Sequence, residues 1–353
     1  MSSPRSRSLT SLIAQSTKAG RNPCHFPPGN VRVKIDDSKK ALKVLANNSE
    51  SAAAKRLVLS INRMTIHNGP GIRTLILFKG CPLHCLWCST PESQKAEPEI
   101  AIYPSKCILC GQCGPVCPLN AVNLTNETVS INRSQCNNCG KCAEVCPSEA
   151  MRLLGQLMTV EELLEEAKKD FVFYKHSGGG VTLSGGEPLL KPDFNKKLLR
   201  ALKEEGISVG VDVCGHVPWA SIEQILPYID FFLWDIKHMD SKKHKRLTGV
   251  PNELILSNAR SVSERNTPLY IRIPVIPGYN DSEENIRATC EFARGLSSVV
   301  EIDLLPLHHL GKARYESLNR AYPVANIPLI PQSVLQNMES LVKSYGFKSS
   351  IVN

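Results

Sequence analysis

Thr74-Leu-Ile-Leu-Phe78-Lys-Gly-Cys81-Pro-Leu-His-Cys85-Leu-Trp-Cys88 runs from an apolar stretch of strand length straight into three cysteines at C-x3-C-x2-C spacing. Three thiolates are one short of a closed four-ligand cluster, so an iron held beside them keeps a position free of protein. An open metal position binds substrate directly, by the logic that separates catalytic from structural zinc sites. Two complete four-cysteine runs follow, Cys107-x2-Cys110-x2-Cys113-x3-Cys117-Pro118 and Cys136-x2-Cys139-x2-Cys142-x3-Cys146-Pro147, each at the spacing of bacterial four-iron four-sulfur sites. The second run repeats the first at an offset of 29 residues.

Outward from the triplet, the chain alternates strand-length apolar runs with helical patterns, the signature of β-α units and a parallel sheet. Strands are expected at 57–61, 74–78, 181–184, 208–213, 231–236, 269–273 and 299–305. Thr159-Val-Glu-Glu162 reads as a capping box opening a helix from 160 to about 173. Asp281-Ser-Glu-Glu284 opens another over 285–294, with Gly295 as its stop. Residues 98–153 break the alternation and hold only the two four-cysteine runs. The expected organisation is a tail over 1–55, the start of an α/β sheet domain with the open cluster over 56–97, the cysteine-rich insert over 98–153, and the rest of the sheet domain over 154–353.

Of 14 cysteines, eleven fall in these motifs, and such spacing in an intracellular enzyme favours metal over disulfide. Cys24, Cys214 and Cys290 are left as small apolar residues. The net charge of +9 suggests a nucleic-acid partner until it is located: Arg5, Arg7, Lys18, Arg21, Arg32 and Lys34 carry six of those charges within residues 1–35, which contain no acid. Neither nucleic acid nor membrane is expected as a partner, since no apolar run reaches the roughly 18 residues of a span. The Arg/Ser-rich beginning suits a disordered basic tail or an organelle transit segment. The protein is expected in a reducing intracellular compartment, the cytoplasm, or an organelle if that segment directs import.

Ser177-Gly-Gly-Gly-Val-Thr-Leu-Ser-Gly-Gly-Glu-Pro188 places Gly185 and Gly186 at a strand end, where backbone can approach a ligand closely, and Glu187 supplies a counter-charge. Alone, the glycine pair is a turn, and alone the triplet also suits a zinc site closed by a distant His or Cys. Together, with Trp87 inside the triplet, they resemble the radical S-adenosylmethionine (SAM) superfamily, whose hallmark is C-x3-C-x-aromatic-C. Asn68-Gly-Pro-Gly-Ile-Arg-Thr74 ahead of the triplet, and the glycines at 178–180, narrow the resemblance to the glycyl-radical-enzyme activating enzymes, from about residue 61 to 346. The two-run insert resembles the longer branch, similar to activases of 4-hydroxyphenylacetate decarboxylase, benzylsuccinate synthase, choline trimethylamine-lyase and the B12-independent diol dehydratases.

The resemblance implies a partial parallel (β/α)6 barrel with an inserted bacterial-ferredoxin-like domain. It implies three four-iron four-sulfur clusters. One is held by Cys81, Cys85 and Cys88 and chelates SAM; two auxiliary ones cross-ligate, Cys107, Cys110, Cys113 and Cys146 against Cys136, Cys139, Cys142 and Cys117. Cofactor contacts are implied for Trp87, Cys88, Ser89, Gly185, Gly186, Glu187 at the SAM amino group, Asp212, Asp235, Ile236, Lys237, Arg272 at the carboxylate or adenosyl region, and His308 near the adenine. The two aspartates also resemble a monovalent-cation site. His309 is expected at the surface. The implied reaction is reductive cleavage of SAM to a 5'-deoxyadenosyl radical that abstracts hydrogen from a glycine of a partner glycyl radical enzyme, with ferredoxin or flavodoxin as electron donor. A radical SAM enzyme acting on a small molecule or peptide, and a ferredoxin-like electron carrier, are the competing readings. Two departures from the family pattern, Asn68 for Asp and Thr90-Pro91-Glu92 for Asn-Pro-Glu, bear on partner recognition.

Overall fold

The computed structural model describes residues 55–352. The expected tail or transit segment, residues 1–55, lies outside them but for Lys55. In chain order the strands are β1 (Lys55–Thr65), β2 (Arg73–Phe78), β3 (Glu99–Ile102), β4 (Val122–Leu124), β5 (Val129–Ile131), β6 (Met151–Leu154), β7 (Gln156–Thr159), β8 (Gly180–Gly185), β9 (Ser208–Val213), β10 (Phe231–Asp235), β11 (Leu269–Val275), β12 (Val299–Pro306) and β13 (Ser349–Ile351). The helices are α1 (Lys141–Glu144), α2 (Val160–Lys168), α3 (Phe171–Ser177), α4 (Pro192–Glu204), α5 (Trp219–Glu223), α6 (Ser241–Thr248), α7 (Glu253–Glu264), α8 (Glu283–Arg294), α9 (Lys312–Ser317) and α10 (Gln332–Ser344).

One sheet runs β13-β12-β11-β10-β9-β8-β2-β1-β7. Every neighbouring pair from β2 to β13 is parallel. β1 departs from the expected β-α pattern and lies antiparallel to both β2 and β7. The link from Thr65 to Arg73 is too short for the dozen or so residues of a parallel crossover, so the chain folds back as a hairpin.

The period of two along each strand sorts the sheet's two faces. Ile76 and Phe78, Val181 and Leu183, Val209 and Val211, Phe232 and Trp234, Ile271 and Ile273, and Ile302 and Leu304 are buried in one large core with residues of α4, α7 and α8. The alternate residues Leu77, Ser184, Asp212, Asp235, Arg272 and Leu305, from six successive strands, line one cavity. Side chains of six parallel strands meet around one space only if the sheet curls, and among the described residues its two edges are β7 and β13.

The Thr159 capping box forms as expected: Thr159 Oγ1 accepts from Glu162 N at 3.2 Å, and Glu162 Oε2 accepts from Thr159 N at 2.8 Å. Its helix stops at Lys168, short of 173, because Asp170 turns inward to Arg63 Nε (2.9 Å) and Thr74 Oγ1 (2.6 Å), and α3 starts afresh behind it. At α8 the cap is Ser282, whose Oγ accepts from Asn285 N at 3.2 Å; Asp281 instead accepts from Gly278 N at 2.9 Å.

Between β2 and β7, β3 pairs antiparallel with β6, and β4 with β5. Ile100, Ile102, Val129, Ile131, Cys142 and Met151 form a separate small core there. Among the described residues no helix is long and apolar enough to cross a membrane.

Candidate active site

The loop bearing Cys81, Cys85 and Cys88 leaves the carboxyl end of β2 and is fastened by main-chain bonds. Cys81 N donates to Gln94 O (3.0 Å), and Cys88 N to Cys85 O (3.1 Å). His84 N and Leu86 N donate to Thr248 O (2.7 Å) and Leu247 O (3.1 Å) at the end of α6. A helix leaves its last carbonyls without internal partners, so the C-terminus of α6 is a ready anchor for a loop offering free N–H groups. Leu83, Cys85, Trp87, Leu247, Ile276 and Leu307 pack around the loop as a second apolar cluster.

The three cysteines open onto a cavity of about 330 Å³. Trp87, Ser89, Gly185, Gly186, Asp212, Asp235, Lys237, Arg272 and His308 share its wall, so most of the residues singled out in the sequence converge on one space. Asp212 accepts from Ser184 Oγ at 3.0 Å and pairs with Arg272 Nη1 at 3.2 Å; Asp235 pairs with Lys237 Nζ at 2.7 Å. Burial raises the Asp212 carboxyl, and Arg272 offsets part of that rise. Burial would lower Lys237, but Asp235 and the cysteine Cys85 more than compensate and hold its ammonium. Each aspartate thus has an intramolecular cation beside it.

Burial pushes the Cys85 thiol up to about 12 and the Cys88 thiol up to about 11, whereas the hydrogen bond from Cys214 draws Cys81 down. Thiols so placed ionise when a metal supplies the missing positive charge, as in a cluster. No three His, Cys, Asp or Glu among the described residues are grouped for a single ion. Cysteines that each take a different iron of a larger cluster have no need of such grouping.

Two of the expected contacts are not on the cavity wall. Glu187 is fully buried behind it: Oε2 accepts from Cys214 N (2.9 Å) and Gly215 N (3.0 Å), and Oε1 from Leu189 N (3.0 Å). Its carboxylate is occupied by main-chain donors. Ile236 is buried in the core, its N–H bonded to Arg272 O at 2.9 Å. Gly185 and Gly186 do line the cavity, but their missing side chains answer the backbone on the other side: a Cβ on Gly186 would stand 2.0 Å from Gly80 O, and one on Gly185 2.3 Å from Phe78 N.

Other residues escaped the sequence reading. Cys214, expected as packing, lines the cavity with its Sγ 2.9 Å from Glu187 Oε2. Ser184 was readable in principle, because it shares the inward parity of Asp212 on the neighbouring strand. Asn68, read from the sequence as bearing on partner recognition, reaches the wall with His67 from the β1–β2 turn, a placement visible only once that hairpin is known. Arg56, buried in β1, donates to Pro188 O (2.6 Å) and Glu187 O (3.2 Å) and so pins the turn after Gly186. His309 is half-buried rather than at the surface, bonded to Ile327 O at 2.9 Å. Glu92, which follows the departing Thr90 by two residues, is buried and pairs with Arg314 at 2.7 Å. Cys290 is packed in the core as expected.

In the insert the cysteines divide into two groups. Cys107, Cys110, Cys113 and Cys146 line one small pocket, and Cys117, Cys136, Cys139 and Cys142 line another. Each group therefore takes three cysteines from one run and its fourth from the other.

Residues 75–290, from β2 into α8, match the Radical SAM superfamily. The chain is 39% identical over 304 residues to the choline trimethylamine-lyase activating enzyme of Oleidesulfovibrio alaskensis, covering 84% of this chain and 98% of that one. It is 42% identical over 294 residues to the (2S)-3-sulfopropanediol sulfolyase activating enzyme of Bilophila wadsworthia (82% and 97%). It is 39% identical over 304 residues to the benzylsuccinate synthase activating enzyme of Thauera aromatica (84% and 92%). The chain belongs to the radical SAM superfamily and, within it, to the family of these activating enzymes.

Proposed function

We infer that the protein activates a glycyl radical enzyme: it cleaves SAM reductively, and the resulting 5'-deoxyadenosyl radical abstracts hydrogen from one glycine of the partner. The observation that carries this reading is the convergence of Cys81, Cys85 and Cys88 with Asp212, Asp235, Lys237 and Arg272 on one cavity, in a chain so similar to activating enzymes over most of its length. In the proposed assignment the three cysteines would hold a four-iron four-sulfur cluster, with one iron left without a protein thiolate. When bound, that cluster supplies the electron that splits the sulfonium of SAM.

The chain's own residues supply position and charge. Arg272, a buried guanidinium on the cavity wall, suits the SAM carboxylate. The main chain at Gly185 and Gly186 offers polar groups at close range, a task open to it because Glu187 is engaged elsewhere. Lys237 and Asp235 compensate each other near the sulfonium, and Trp87, Ser89 and His308 bound the adenosyl region. A monovalent cation at Asp212 and Asp235 would have to compete with Arg272 and Lys237 for them. A glycine is a suitable target because, without Cβ, its Cα is unshielded.

The insert is assigned as a bacterial-ferredoxin-like domain with two auxiliary four-iron four-sulfur clusters, fed by ferredoxin or flavodoxin. The two four-cysteine groups support this reading. The relatives serve a trimethylamine-lyase, a sulfolyase and a synthase, so the partner proposed here is a glycyl radical enzyme acting on a small organic molecule. Co-incubation of the reduced protein with SAM and candidate partners of that kind is expected to produce a glycine-centred doublet in electron paramagnetic resonance (EPR). SAM cleavage with no doublet from any candidate, but turnover of a small molecule or peptide, would replace this reading.

A further inference from the structure

We propose that the group formed by Cys117, Cys136, Cys139 and Cys142 is the inner relay to the active site, and that Arg133 both clamps it there and raises its reduction potential. The inference rests on the reading of both insert groups as four-iron clusters. Ile100, in β3, lies in the wall of this group's pocket. Its main chain is held from both sides by the cysteine loop: Ile100 N donates to Asn138 Oδ1 at 3.0 Å, and Ile100 O accepts from Arg133 Nη1 at 2.6 Å. Asn138 in turn donates its own N–H to Cys136 Sγ at 3.4 Å.

From Ile100 the chain leads back to Gln94, whose carbonyl accepts the Cys81 N–H at 3.0 Å. The Cys136 group is therefore joined to the active-site cysteines through residues 94–100, a segment hydrogen-bonded at each end. Arg133 Nη2 adds a second tie, to Ser317 O at 3.4 Å in α9. The other group meets β3 only at its far end, where Met151 pairs with Ile102 and Ala150 O accepts from Tyr103 N at 2.8 Å. Each group has one exposed cysteine, Cys110 here and Cys139 in the other, but the wall here includes Ile108, 65% exposed, against Leu119, 42% exposed, in the other. That group is the outer one.

Arg133 carries a feature its clamping role leaves unexplained. Its Nε is buried without a protein partner, and its guanidinium is held against Ile100, which lines the pocket of the Cys136 group. Reduction of a cluster adds negative charge, so a cation fixed at the wall of its pocket favours the reduced form. In this order a reduced one-electron carrier, an iron–sulfur or flavin protein, loses one electron. The electron passes through the outer and then the inner group, and the active-site cluster is reduced by one electron with no proton transferred.

The test uses the full chain, reconstituted without oxygen, with iron analysis, EPR and a potentiometric titration. About twelve irons per chain are expected from three four-iron clusters. In the reduced protein, magnetic interaction with the active-site cluster should be lost in Cys136→Ala/Cys139→Ala and kept in Cys107→Ala/Cys110→Ala. Arg133→Met should shift one auxiliary potential to more negative values, and Arg133→Lys should restore much of it. Interaction that vanishes with the Cys107 pair instead, or Arg133→Met with unchanged potentials, would overturn the inference while leaving the cluster reading intact. About four irons per chain would remove the cluster reading itself and the inference with it.

Discussion

Asp303 puts a carboxyl on the inward face of β12 beside Glu301, with Arg272 across from it on β11. Burial first, and Glu301 second, push it up to about 7, with Arg272 only partly opposing them. A carboxyl raised in the folded state binds more protons than in the unfolded chain, so its contribution favours folding below the ordinary carboxylate range and is lost as pH rises to about 7. Asp303→Asn is therefore expected to gain stability over the parent as pH is raised through that window, measured by thermal unfolding at several pH values. A gap between the two that stays constant with pH would contradict it. The same inward parity explains which residues could be read from sequence. Asp212, Asp235 and Arg272 stand at or near strand ends with polar side chains on an apolar background, so their direction follows from the period of two. Glu187 has no such parity: it follows the strand, and only the positions of Cys214 N, Gly215 N and Leu189 N show that its carboxylate is spent on main-chain donors.

At the scale of elements, Asp170 does what no pattern in its own neighbourhood announces. It breaks a helix that capping and composition extend to about 173, and it ties α3, β1 and β2 together. Arg63, Thr74 and, through Thr74, Tyr174 Oη at 2.6 Å all converge on it. Its carboxyl is held below the usual range mainly by the hydrogen bond from Arg63. Asp170→Ala takes from the buried Thr74 hydroxyl its carboxylate acceptor, while Tyr174 Oη keeps Thr74 Oγ1 and Ala167 O and Arg63 lies partly in water, so a loss of about 1–3 kcal/mol is expected in denaturant unfolding. A loss under about 0.5 kcal/mol, the range of an ordinary surface change, would show that the network holds nothing. The elements legible in sequence were those whose signals are local: the parallel strands, the Thr159 box and the helix over 283–294. The antiparallel sense of β1 and the edge strands β7 and β13 depend on pairing partners far along the chain, which composition and period do not encode.

Over the whole molecule, one curled sheet gathers at its carboxyl ends a cavity flanked by the cysteine loop, while the insert between β2 and β7 builds its own small core. The active site was visible in sequence as chemistry, because three cysteines cannot close a four-ligand cluster. It was visible as a place only in outline, because His67, Asn68 and Cys214 join it through turns and strand ends. An iron open to solvent-borne ligands is also open to oxygen, so brief exposure to air is expected to abolish SAM cleavage, with activity recovered on anaerobic reconstitution. Air-exposed protein that cleaves SAM at full rate would contradict this. The most direct measurement is the release of 5'-deoxyadenosine from SAM by the reduced, iron-loaded protein and by its Cys85→Ala variant. The account predicts steady release by the parent protein and a fall of about a hundredfold or more in the variant; equal release by the two would contradict it.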